Sequence, residues 1–170
     1  MPTWLKFAVV TVVVAVPAFL LAPMVFPPAE GGPEPTSGQM ANFMALGAWD
    51  AILLGLGVAV AVFGWPYVRR AFPESTGTAV AVFASFVFLL VSWWPHIGFH
   101  MSIGHDLNAL IMVDYAFHVP TGIATLILVW AVFKLGTERS VRAAGMADAA
   151  RAPSRGTAGA HEAKSHRHQV

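Results

Sequence analysis

The stretch DAILLGLGVAVAVFGWPYVRR, Asp50 to Arg70, decides the fold. Between Asp50 and Arg69 lie 18 residues with no Asp, Glu, Lys, Arg or His, and the run then stops on two adjacent arginines. A helix rises about 1.5 Å per residue, so this run crosses most of the roughly 30 Å hydrocarbon core of a bilayer. It is apolar on every side, whereas a helix on the surface of a soluble domain carries a single apolar stripe. Similar uncharged runs separate Lys6 from Glu30, Glu74 from His96 and His118 from Lys134. Charged residues make up 11% of the chain and hydrophobic ones 56%, against roughly a quarter charged in an average soluble domain. The chain is therefore read as an all-α integral membrane protein with four transmembrane helices, at about Trp4–Phe26, Ala41–Trp65, Thr78–Trp94 and Leu107–Leu135. Continuation of the third helix past Pro95 is left open. Pro17, Pro23 and Pro120 fall inside spans, where neighbouring helices can satisfy the freed carbonyls.

The basic residues set an expected orientation. Arg69 and Arg70 connect spans two and three, Lys134, Arg139 and Arg142 follow span four, and Lys6 opens span one. The connections Pro27–Met40 and Pro95–Asp106 contain no Lys or Arg. By the positive-inside rule both termini are cytoplasmic and the 95–106 connection faces out of the cell membrane. Span one is expected as an uncleaved helix: its apolar run exceeds the roughly 7–15 residues of a signal peptide, and no small-x-small site follows. Pro27 to Gly38, rich in Pro and Gly, reads as an irregular outer loop. Residues 1–136 form the expected membrane domain. The Ala-, Gly-, Arg- and Ser-rich stretch 137–170 reads as a disordered cytoplasmic tail.

A net charge of +1 and the lack of a basic patch interleaved with aromatics argue against nucleic acid as a partner. Lipid is the expected surrounding, with a membrane-complex partner a further expectation. The chain has no cysteine, which removes disulfides, Cys-zinc sites, iron–sulfur clusters and thiol nucleophiles. Any metal must be held by imidazole, carboxylate, thioether or backbone oxygen.

The chemistry is concentrated in WWPHIGFHMSIGHDLNALIMVDYAFHVP, Trp93 to Pro120. His96 and His100 are four apart, as are Asp114 and His118, and residues four apart share a helix face. Counted from the basic end of each span, Asp50 and His96 both lie about 28 Å out, His118 about 24 Å and Asp114 about 30 Å. Trp49, Trp93, Trp94 and Tyr115 occupy the same layer, as interfacial aromatics do. The expected metal ligands are His96, His100, Asp114 and His118, three imidazoles and one carboxylate. Copper, zinc and ferrous iron accept such a set, with copper favoured. Asp50 is expected to orient a ligand imidazole from behind, and Asp106 to cap the fourth helix. His105 is assigned neither way. Met101 and Met112 are read as ordinary membrane-helix composition, and His161, His166 and His168 as a solvated polar end.

The Asp114–His118 pair is similar to an Asp-x-x-x-His pair in the copper-binding subunit of membrane methane and ammonia monooxygenases. That family carries a further histidine three to four turns later, whereas Leu128 to Phe133 is wholly apolar here. The resemblance covers two residues and carries no activity with it. The spacing of His96 and His100 also occurs in membrane desaturases and hydroxylases, which need about twice as many histidines in several clusters. No catalytic residue is assigned. The expected function is metal binding at the extracytoplasmic face, in metal handling or as a subunit of a membrane redox complex. The alternatives are a non-catalytic accessory subunit and a b-type haem protein using His118 with His96 or His100.

Overall fold

The computed structural model describes residues 1–31 and 35–151, and every regular element among them is helical. In chain order these are α1 (Thr3–Val25), α2 (Ser37–Phe63), α3 (Trp65–Ala71), α4 (Thr76–Val91), α5 (Trp93–Ile103) and α6 (Leu107–Arg151). Residues Met1–Val132 form one compact unit, and the described residues from Phe133 onward belong to a second. By length and composition α1, α2 and the Leu107–Ala147 part of α6 can each cross a membrane; α4 and α5, taken as one bent span, make a fourth. Large apolar side chains such as Val12, Val13, Leu20, Leu126 and Val132 lie exposed on the helix surfaces. That suits lipid as the surrounding medium.

Local chemistry explains where the helices start and break. At the head of α2 the Thr36 hydroxyl accepts from the Gln39 amide at 3.4 Å, and the Gln39 side chain accepts from the Thr36 amide at 2.8 Å. This capping box satisfies two otherwise orphaned donors, and it starts α2 at Ser37 rather than at the expected Ala41. Pro66 has no N–H to offer the Val62 carbonyl, so the helix breaks at Gly64 and resumes as the short α3. Arg69 closes α3 by donating from Nη1 to the carbonyls of Phe72 and Pro73, at 2.6 and 2.8 Å. The same mechanism divides the expected third span. Pro95 cannot bond the Val91 carbonyl, and the chain bends by 40° at Ser92 before α5 carries on through Pro95.

Asp106 caps α6 as expected, its Oδ1 accepting from the amides of Asn108 (3.0 Å) and Ala109 (3.1 Å). The helix does not stop near Leu135 but runs to Arg151. Within that second unit Lys134 pairs with Glu138 at 4.0 Å, and the hydroxyls of Thr137 and Ser140 donate to carbonyls one turn back. Alanine, the strongest helix former, dominates the sequence that follows. The remainder of the expected tail, 152–170, with His161, His166 and His168, lies outside the described residues.

α2 is the hub of the first unit, packing against α1 on one side and against α4 and α5 on another. Small residues make this possible, because without a Cβ in the way two backbones can close up. A Cβ on Gly55 would fall on the Thr11 carbonyl oxygen of α1, and one on Gly57 would lie 2.6 Å from Val91 Cγ2 of α4. Ala51, Ala59 and Ala79 are also buried, at 1%, 0% and 0% exposure. Beyond α1 the chain folds onto α5: Phe26 stands edge-on to Trp94 and Phe99, with ring centroids 5.0 and 5.2 Å apart. The Ala29 amide donates to the Met101 carbonyl at 3.2 Å. Gly104 then turns α5 into α6 at φ +61°, a conformation that side-chain-bearing residues rarely adopt.

Candidate metal centre

The Gly104 turn lays the start of α6 back along α5, and the paired residues meet. His96 and His100, one turn apart on α5, bring their Nε2 atoms to 2.9 Å. One of the two rings therefore carries its proton on Nε2 and donates to the other. From α6, Asp114 Oδ1 reaches to 3.3 Å from His100 Nε2. Ligand atoms of His96, His100 and Asp114 all lie within 4.8 Å of one another, so this group could hold a metal ion. His96 is buried at 8% exposure, while the side chains of His100 and Asp114 are 32% and 50% exposed. The group is thus anchored on one side and open on the other.

His118 joins the group through its neighbours. Its Nδ1 lies 3.3 Å from Asp114 Oδ1 and 3.1 Å from the Asp114 carbonyl oxygen. With oxygens as the acceptors, Nδ1 carries the proton, and Nε2 is left as the nitrogen able to take a metal. The ring meets His96 edge-on, centroids 4.8 Å apart. Three of the four expected ligands thus share one compact group, and the fourth touches that group through Asp114.

Aromatic rings wall the buried side. Phe117 of α6 stacks on His96 at 5.1 Å and an interplanar angle of 26°, and Trp93 lies 5.9 Å away on another flank. Phe117 was not singled out in the sequence, although it immediately precedes His118. Trp49 and Tyr115 remain exposed, as belt residues do.

Asp50 departs from expectation. It is buried at 8% exposure, but among the described residues it has no hydrogen bond or ion pair with any imidazole. Gly57 of α2 meets Val91 of α4, and α2 also packs against α5. Depth alone does not fix which side chain Asp50 meets. His105 is exposed in the turn, and among the described residues no interaction ties it to the group.

Comparison of the chain with protein-family models, with curated proteins and with solved structures finds no match.

Proposed function

We propose that this is a four-span protein of the cell membrane, both termini cytoplasmic, that holds a transition metal at its extracytoplasmic face. The ligands are His96, His100 and Asp114 with His118 as the fourth, and copper is the favoured metal. Its role is metal handling, or service as the metal-bearing subunit of a membrane redox complex. The carrying observation is the 2.9 Å approach of His96 and His100 Nε2 beside the Asp114 carboxylate from a second helix. Metal–nitrogen bonds of about 2.05 Å turn that separation into an angle of about 90° at the ion. A right angle suits tetragonal copper(II) and strains tetrahedral zinc. To bind through both Nε2 atoms, the donor ring would carry its proton on Nδ1 instead, and both imidazoles would stay neutral.

For the His96–His118 pair the same geometry speaks against haem. Axial bonds of about 2 Å need ring centroids about 6 Å apart with a macrocycle between them. His96 and His118 stand at 4.8 Å, with Phe117 stacked on His96.

Metal analysis of the purified protein tests the reading. About one equivalent of copper is expected, with no Soret band, and the His118→Ala variant should bind it more weakly. Metal-free protein that resists reconstitution with copper, zinc and iron would refute the proposal. Orientation has its own test. Single cysteines at Ser37 and Ser102 should react with an impermeant reagent in intact cells, and one at Ser75 only after lysis. Labelling of Ser75→Cys from outside would reverse the topology.

A further inference from the structure

The methionines are distributed unevenly. The chain has seven, and Met24, Met40, Met44, Met101 and Met112 all lie near the ends of helices that adjoin the histidine group. Met24 ends α1, Met40 and Met44 open α2, Met101 ends α5 and Met112 opens α6. The hydrogen bond from Ala29 to Met101 and the packing of Phe26 on Trp94 and Phe99 join these ends. All five are exposed, at 78%, 46%, 51%, 46% and 71% in chain order.

Met40 and Met44 have a particular setting. They are one turn apart and so share a helix face. That face is the α1-facing stripe of α2, which runs through Met40, Met44, Gly47, Ala51 and Gly55 at spacings of four and three. Gly47 meets the Phe19 ring and Gly55 meets Thr11, an antiparallel register that puts Met44 level with Ala22 and Met40 level with Phe26. At that level α1 has just ended, at Val25. Both thioethers are exposed at that level.

A thioether is a soft, uncharged ligand that selects copper(I) over zinc and other harder divalent ions. No Lys or Arg occurs from Phe7 to Val68 or from Ala71 to Phe133, so no cationic side chain of these segments repels an arriving ion. We propose that Met40 and Met44 form a copper(I)-binding clip, distinct from the imidazole–carboxylate group and at the same end of the protein. The clip binds the ion without any change of oxidation state.

The test uses the full-length protein in detergent, with copper(I) held reduced under anaerobic conditions and presented against a competing chelator. Wild type is expected to retain one equivalent of copper(I) more than the Met40→Leu, Met44→Leu double variant. Zinc binding should be the same in both. Leucine preserves size and apolarity, so folding is retained, and an unchanged melting temperature checks this. X-ray absorption of the copper(I) form should show sulfur scatterers that the double variant loses. Equal copper(I) stoichiometry in the two proteins overturns the clip, as does its loss in Met101→Leu, Met112→Leu instead. His100→Ala separates the two sites: it should reduce zinc and copper(II) binding while the sulfur signal persists. If that variant keeps its zinc and copper(II), the imidazole site fails and the clip stands.

Discussion

A His100→Ala, Asp114→Asn double variant is expected to emerge from purification without stoichiometric zinc or copper(II) and to resist reloading with either. His100 is the middle member of the group, 2.9 Å from His96 and 3.3 Å from Asp114. Changes behind a metal ligand typically weaken binding about 10–100-fold, and loss of a ligand bond costs more. Two lost ligands should therefore weaken binding by at least on the order of 10⁴-fold. Both side chains are partly exposed, so their removal leaves no large cavity, and the melting temperature of the metal-free proteins should agree. His105→Ala, at an exposed position, should bind as wild type does. Asp50→Asn, which removes no hydrogen bond to an imidazole, should change affinity by no more than a few-fold. Binding competes with protons, because a ligating imidazole must be neutral, so acidification should release the metal. Stoichiometric zinc or copper(II) retained in the double variant at pH 7.5 would dismiss the site.

The second large effect concerns the backbone contact of α1 with α2. Gly55→Ala is expected to destabilise the protein by about 3 kcal/mol or more, at or beyond the upper range of overpacking. The added Cβ would meet the Thr11 carbonyl oxygen, with the Thr11 Cα only 3.1 Å away. Those are backbone atoms that cannot rotate aside, so the helices must part along the seam. Gly122→Ala on α6 meets nothing within 4 Å and should be neutral or gain up to about 1 kcal/mol of helix propensity. Denaturation in detergent compares the two variants directly. Equal stability of Gly55→Ala and wild type would mean that α1 does not pack as closely as described.

These contrasts show what could be read from composition and what could not. The long apolar runs and the spacing-of-four pairs were legible because each depends on one helix at a time. So was the cap at Asp106, a purely local event. The early start of α2 was also written in the sequence, as Thr36 and Gln39 three residues apart, but a loop rich in Pro and Gly masked it. The passage of α6 beyond Leu135 is not legible from hydrophobicity, because a helix can outlast its apolar run. Alanine content and the Lys134–Glu138 pair keep the helix going without an apolar face. Asp50 failed differently. Counting residues gives height along a span, whereas the partner of a side chain depends on how neighbouring helices are rotated. Phe117 went unnoticed for the same reason.

The Gly104 turn has a consequence for the order of assembly. Every side chain of the imidazole–carboxylate group lies between His96 and His118, on the hairpin formed by α5 and α6. During synthesis α1 and α2 are complete before any of these ligands exists. The nascent chain can therefore settle the Gly55 seam before any imidazole or carboxylate of the group exists. Once the turn closes, His100 and Asp114 are tethered by only 13 intervening residues, and each holds the other at high effective concentration. On the proposed function, loading of the imidazole–carboxylate site would then wait for the last hairpin to close.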